Sequence, residues 1–408
     1  MVSTVAALLQ RTLRAAGVHA VYDTGDAEVD RLLAAAHLRV HGRAAAWGGL
    51  RVGDGGTVHV VRSVDALARA VPALAAAARG GPGVELQVDL DLAARTDATV
   101  DVAPFDGWVE PDEAVLDRLR AATRPMVVAG PGVVLDRAVA GLHAIAAAGS
   151  LGVLNTWGAK GVFDWRSRHH LATAGLQARD FELGGVADAD LVIATGVDPA
   201  EGAPDPARSV VVAPGSLDLL AERWSRPFQE VTIPPLRSGL AAVTQEGWAA
   251  EGGPLQPTRV TRHYGVASAG GGLVAADPGV AGYWVARTFA TTELGGVQVP
   301  SDAGAAGFAL ACGIVARLHD TERPVLAVVD GPVAPIVERA REVGRGFGVD
   351  VPVEVWQPDG DALDPEAHLT RLRDLVGAGS GTVTLATDPT QLDRMVDVAG
   401  EVVAWGGL

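Results

Sequence analysis

The sequence predicts an α/β protein with three Rossmann-like parallel-sheet units in series, the first of which is truncated. Short β-branched runs alternate with helix-like apolar patterns over most of the 408 residues. At about 150 residues per domain, this length provides two or three separate cores. Linkers rich in proline, glycine and acidic residues occur at 101–111 and 246–257. We therefore predict domains at residues 1–107, 108–250 and 251–408.

The individual elements follow from local composition. An amphipathic pattern predicts a helix at the start of the chain, and alanine-rich or periodic segments predict further helices at 64–79, 111–122, 136–148, 304–318, 334–343 and 365–375. Apolar β-branched runs predict strands at 18–22, 57–61, 84–88, 125–130, 152–157, 189–196, 209–215, 230–234, 273–277, 324–330, 352–356 and 382–386. In this prediction the strand at 230–234 completes a five-stranded central unit.

Composition excludes several functional classes. The net charge is −16 and no cluster of cations is visible, which argues against nucleic acid or an anionic membrane surface as a partner. No apolar run is hydrophobic enough for a membrane span. A single cysteine, Cys312, excludes internal disulfides and favours a cytoplasmic protein.

Four stretches of the sequence resemble the thiamine-diphosphate enzymes of the acetolactate synthase and benzoylformate decarboxylase type. They are residues 8–22, the segments 124–132, 156–163 and 188–196 taken together, the segment 304–316, and the strand 324–331 (PVLAVVDG). The resemblance implies a truncated pyrimidine-binding-like domain, a central domain and a pyrophosphate-binding-like domain, with thiamine diphosphate and Mg²⁺ as cofactors. It also implies a homodimer, or a complex with a full-length thiamine-diphosphate enzyme subunit.

The catalytic glutamate of that family has no counterpart here. The family's H-E-x-A-A-A pattern corresponds to residues 41–46 (HGRAAA), so the glutamate position is Gly42. No glutamate occurs between Glu28 and Glu85 that could replace it. Glycine carries no titratable group for acid–base catalysis, and we therefore predict no catalytic residue in this chain.

The cofactor and metal positions are degenerate in the sequence. Asp330 and Gly331 match the end of the family's G-D-G metal loop, and Ala306 takes the place of its bulky apolar residue beneath the cofactor. The asparagine ligand of the family corresponds to Gln357, with Asp359 as a further oxygen donor. We therefore expect thiamine diphosphate and Mg²⁺ to bind weakly or not at all.

Three functional hypotheses remain open at this stage. The first is a non-catalytic homologue that acts by binding or oligomerisation, with helices 64–79 and 304–316 near a twofold axis. The second is an active 2-oxo-acid carboligase or decarboxylase with an atypical site, or one completed by a partner subunit. The third is an adenine nucleotide or FAD bound at the central domain. Lys160, the only lysine, matches the family's G-K-G turn and is interpreted as solvated or structural.

Overall fold

The computed structural model describes residues 3–18, 20–40, 44–46, 50–52, 57–77, 84–102, 110–251, 254–269 and 271–408. The chain divides into two compact units, Met1–Asp106 and Gly107–Leu408, and each is described here by itself. Among the described residues, no helix is both long and apolar enough to cross a membrane.

The first unit is a mixed sheet covered by helices. Its elements are β1 (Ser3–Thr4), α1 (Val5–Ala15), β2 (Ala20–Tyr22), α2 (Ala27–Val40), β3 (Ala44–Ala46), β4 (Leu50–Val52), β5 (Thr57–Val61), α3 (Val64–Ala77), β6 (Val84–Val88) and β7 (Arg95–Thr96). The five-stranded sheet has the order β2-β3-β4-β6-β5, and β4 is antiparallel to both of its neighbours. This pairing departs from the all-parallel arrangement predicted for the unit. Its core includes Leu9, Leu13, Leu67 and Leu74, from α1 and α3.

The second unit begins with a parallel sheet of order β10-β9-β8-β11-β12. Its elements are α4 (Glu113–Ala121), β8 (Pro125–Ala129), α5 (Gly132–Leu135), α6 (Val139–Gly149), β9 (Val153–Thr156), β10 (His170–Ala174), β11 (Leu191–Thr195), β12 (Ser209–Val212), α7 (Leu217–Arg223) and α8 (Pro235–Ala249). The strand predicted at 230–234 is wrong, because this segment is irregular and its Ile233 is exposed. The fifth strand is instead β10, whose pairing with β9 buries residues 171–174.

A second parallel sheet of order β14-β13-β15-β16-β17 completes this unit. Its elements are α9 (Pro257–Ala267), β13 (Leu273–Ala276), α10 (Val280–Thr288), β14 (Val297–Gln298), α11 (Phe308–His319), β15 (Val325–Asp330), α12 (Pro335–Gly346), β16 (Val353–Trp356), α13 (Pro365–Ala378), β17 (Thr382–Leu385) and α14 (Gln391–Ala399). Tyr264, Tyr283 and Trp284 are fully buried in its core. The α/β class predicted from the sequence is confirmed.

In each of the two parallel sheets, the carboxyl ends of the strands lie along one edge of that sheet. The loops and helix N-termini that follow the strands lie at the same edge. In open α/β sheets this edge is where ligands bind, because backbone N–H groups without helical partners point outwards there. The strand ends at Thr156 and Thr195 in one sheet, and at Ala276 and Asp330 in the other, therefore mark the candidate sites.

Candidate functional site

Asp330 is the last residue of β15, and its carboxylate caps the N-terminus of α10. Both of its oxygens accept from the Ala281 N–H, at 3.1 and 3.3 Å, and the Val280 N–H also donates to the carboxylate. Gly279 comes so close that a Cβ at this position would lie 2.2 Å from Asp330 Oδ2. Burial raises the pKa of Asp330 to about 6.

Asp277 caps the next helix in the same manner. It follows β13, and its carboxylate accepts from the N–H groups of Gly307 at 2.6 Å and Ala309 at 2.7 Å, at the start of α11. Burial, with a smaller contribution from the charge of Asp330, raises the pKa of Asp277 to about 6. Two neighbouring helix N-termini are thus occupied by carboxylates of the chain itself. The sequence motifs did not single out Asp277.

The remaining predicted cofactor and metal residues lie around Asp330. The N–H of Gly331 donates to the Trp356 carbonyl at 2.8 Å, and the Gly331–Pro332 peptide bond is cis. A Cβ at Gly331 would be 2.7 Å from Gln357 Oε1, so the Gln357 side chain lies against this turn. Asp359 is exposed and Ala306 is partly buried, in the segment that precedes α11. Gly42 lies outside the described residues.

These residues do not fit a magnesium diphosphate well. A diphosphate needs backbone N–H groups and cations, whereas the N–H groups at the start of α10 and α11 already meet Asp330 and Asp277. Within the described residues, no three His, Cys, Asp or Glu side chains are grouped so that they could hold a metal ion. Asp330 and Gln357 remain the two candidate oxygen donors close to each other at this edge.

The carboxyl edge of the other parallel sheet is occupied by Glu201. Its Oε2 accepts from Thr156 Oγ1 at 2.6 Å and from the Gly158 N–H at 2.9 Å, just beyond the end of β9. The side chain is fully buried. A buried carboxylate at this position opposes the phosphates of a nucleotide by like-charge repulsion. Thr195 Oγ1, at the end of β11 in the same sheet, is buried without a hydrogen-bond partner.

A second polar cluster, which sequence analysis missed, lies inside the second sheet of this unit. His368 Nε2 contacts Glu354 Oε2 at 3.0 Å, and its Nδ1 is 2.8 Å from His263 Nδ1. Tyr264 donates its hydroxyl to Glu354, and the Trp356 indole N–H contacts that hydroxyl at 2.7 Å. These residues are far apart in sequence and form no motif, so only the fold brings them together.

Lys160 was interpreted from the sequence as solvated or structural, but it is buried, with 9% of its surface exposed. It lies between β9 and β10, close to Thr173 and to the ion pair of Arg287 with Asp180. Sequence spacing gave no sign of this burial, because Arg287 is contributed by α10, more than a hundred residues further along the chain.

One region of the chain matches a known protein family. The family described as thiamine pyrophosphate enzyme, central domain, matches residues 113–211, the segment from α4 to β12. This segment is therefore similar to the central domain of the thiamine-diphosphate-dependent enzymes, which confirms for this part of the chain the resemblance stated from the sequence. No curated protein matches the chain.

Proposed function

We propose that this chain is a non-catalytic homologue of the thiamine-diphosphate enzymes that acts by binding or by oligomerisation. The observation that carries the proposal is the capping of α10 and α11 by Asp330 and Asp277, which places two carboxylates where a diphosphate would need N–H donors. Gly42 at the position of the catalytic glutamate supports the same reading, since proton transfer to the cofactor has no residue to perform it.

Titration with thiamine diphosphate and Mg²⁺, followed by thermal unfolding, tests the loss of the cofactor. We expect no shift in Tm relative to Mg²⁺ alone. A ligand at 100 times its Kd stabilises a protein by about 2.7 kcal/mol, which a thermal scan resolves easily. A Tm increase that requires Mg²⁺ in the native chain and disappears in Asp330→Ala would instead establish a working metal site and refute the proposal.

The alternative is an active 2-oxo-acid carboligase or decarboxylase of the acetolactate synthase type, with an atypical site or a glutamate from a partner subunit. The observation that favours this alternative is that Asp330 and Gln357 provide two oxygen donors at one strand end. Decarboxylation of pyruvate, measured with and without a full-length thiamine-diphosphate enzyme subunit, distinguishes the two functions. Binding of an adenine nucleotide such as FAD at the central domain is disfavoured by the buried carboxylate of Glu201.

We also propose that the chain forms a homodimer, or a complex with a full-length subunit, in the cytoplasm. The helix expected near the twofold axis at 304–316 is less favoured for the contact, because residues 308–316 of α11 are buried within one chain. The outer face of α3, with Asp65, Ala68, Arg69 and Pro72 exposed, remains as the candidate contact. Light scattering at micromolar concentration is expected to give the mass of a dimer, and a monomer that binds no full-length subunit would contradict this proposal.

A further inference from the structure

Lys160 is a buried amine with few partners. It is the only lysine among the 408 residues, and 91% of its surface is removed from solvent. Within the described part of the chain, its Nζ has one hydrogen-bond partner, Thr173 Oγ1 at 3.5 Å, and it forms no ion pair. An ammonium group has three donors, so this position is poorly suited to the charged form and well suited to the neutral amine.

A second basic side chain, that of Arg287, also contacts Thr173. Arg287 from α10 donates to the Thr173 carbonyl through Nη1 at 2.8 Å and pairs with Asp180 through Nη2 at 2.7 and 2.9 Å. The pair is completely buried, and Arg287 Nε has no hydrogen-bond partner. The cluster therefore contains a guanidinium N–H that lacks an acceptor, close to an amine that lacks a counter-charge.

Burial and a neighbouring cation favour the neutral form of the Lys160 amine. Burial, with a smaller contribution from the charge of Arg287, lowers the pKa of Lys160 to about 7. His170, on β10, has a pKa lowered to about 3 by burial and is uncharged. The carboxylate of Asp180 is engaged by Arg287, and that of Glu201 by Thr156 and Gly158. At pH 7 about half of the Lys160 amines are neutral, against roughly one in three thousand for an exposed lysine.

We propose that Lys160 is a carbamylation site, at which its neutral amine takes up carbon dioxide. The Nζ lone pair attacks the carbon of CO₂ and forms an N–C bond, while one C=O electron pair moves onto oxygen to give a carboxylate. The Nζ proton is released to solvent. We expect the carbamate oxygens to accept from Arg287 Nε, the guanidinium N–H that lacks an acceptor. This inference is independent of the proposed loss of thiamine diphosphate.

Burial selects carbon dioxide over larger carbonyl compounds. A 2-oxo acid or an aldehyde that formed a Schiff base at Lys160 would have to bring several more heavy atoms, and often a charge, into a site that is nine-tenths enclosed. Carbon dioxide is linear, uncharged and small, and it gains its charge only after bonding.

The test is chemical trapping of the carbamate in the intact protein. The chain is exposed briefly to carbon dioxide at fixed partial pressure, treated with triethyloxonium to esterify any carbamate, and digested for peptide mass spectrometry. We expect the label on the peptide that contains Lys160, and its initial rate of appearance should rise about tenfold from pH 6 to pH 8 as the amine loses its proton. The α-amino group of the tested chain is an internal control for the reagent.

Two comparisons make the outcome decisive. Lys160→Arg keeps a long basic side chain and Lys160→Met keeps most of the volume, and both are expected to lose the label at residue 160. A label that appears only on the α-amino group of the native chain would overturn the proposal. So would reductive trapping of pyruvate at Lys160 without a trapped carbamate, because it would show that the site admits larger carbonyl compounds and uses different chemistry.

Discussion

The buried pair of Arg287 and Asp180 provides the sharpest test of how the second unit is held together. Asp180 accepts two bonds from Arg287 Nη2, and its Oδ2 also accepts the backbone N–H groups of Leu176 at 2.8 Å and Gln177 at 2.9 Å. Both side chains of the pair have no solvent exposure. Asp180→Ala therefore removes four hydrogen bonds and leaves a guanidinium charge buried without its counter-ion.

The expected loss in the free energy of unfolding is about 3–5 kcal/mol, the usual result of breaking a buried pair by removing one partner. That loss lowers the folded-to-unfolded ratio by roughly a hundred- to several-thousandfold. Urea denaturation followed by tryptophan fluorescence measures it in the correct unit, because eight of the nine tryptophans lie within Gly107–Leu408.

Two control variants separate the reasons for this loss. Arg179→Ala removes a neighbouring exposed pair with Glu182, and it should leave the urea midpoint unchanged within error. The double change Asp180→Ala with Arg287→Met removes the residual charge and should be more stable than Asp180→Ala alone. A double variant that is less stable than the single one would refute the argument from an unpaired charge, and so would a single variant that loses less than about 1 kcal/mol.

Two further changes test the geometry of the strand ends. Gly175→Ala, at φ +91°, puts a Cβ 2.0 Å from the Glu201 carbonyl oxygen, and its free energy of unfolding in urea should fall by about 3 kcal/mol or more. Gly271→Ala has a similar φ of +94° but open space around it, and its free energy of unfolding should fall by about 1 kcal/mol. Equal losses in the two variants would contradict the close approach at Gly175. The folded pKa of Asp277, about 6, exceeds its ordinary 3.8, so its stabilising contribution is present at low pH and lost as pH rises through this range. Asp277→Asn does not titrate and should therefore gain about 2 kcal/mol relative to the native chain between pH 4.5 and 7.5, and a constant difference would contradict the raised pKa.

The parallel sheets could be predicted because their strands are short and buried on both faces. Runs such as 125–129 and 191–195 are almost entirely apolar and are buried at every position, as expected for strands between two layers of helices. The segment 230–234 has a similar β-branched composition but lacks sheet partners, and it remains irregular. The strand that replaces it, β10, contains His170 and Thr173, so its sequence resembled a loop. Residues 170–174 form a strand because they pair with β9, and the local sequence pattern does not encode this pairing.

The candidate site was predictable only where a motif contains it. Asp330 and Gly331 were found through the matched metal loop, and Gln357 through its spacing along the chain. Asp277 has no such motif, because its role as a helix cap depends on where residues 307–309 return in space. The burial of Lys160, which excludes the solvated alternative but not the structural one, was not predicted for a related reason. Its desolvation comes from β10 and α10, and no apolar cluster precedes or follows it in the sequence.

Under the proposed function, the acidic caps explain how the fold persists without its cofactor. A parallel sheet collects unpartnered N–H groups at the carboxyl ends of its strands, and leaving them buried without acceptors would destabilise the chain. In an enzyme of this class, the anionic cofactor meets part of that need. Here the carboxylates of Asp277, Asp330 and Glu201 accept hydrogen bonds from such N–H groups at three strand ends. Because the acceptor is covalently part of the protein, the stability of these edges does not depend on ligand concentration. The same carboxylates that stabilise the empty site therefore oppose the return of a diphosphate.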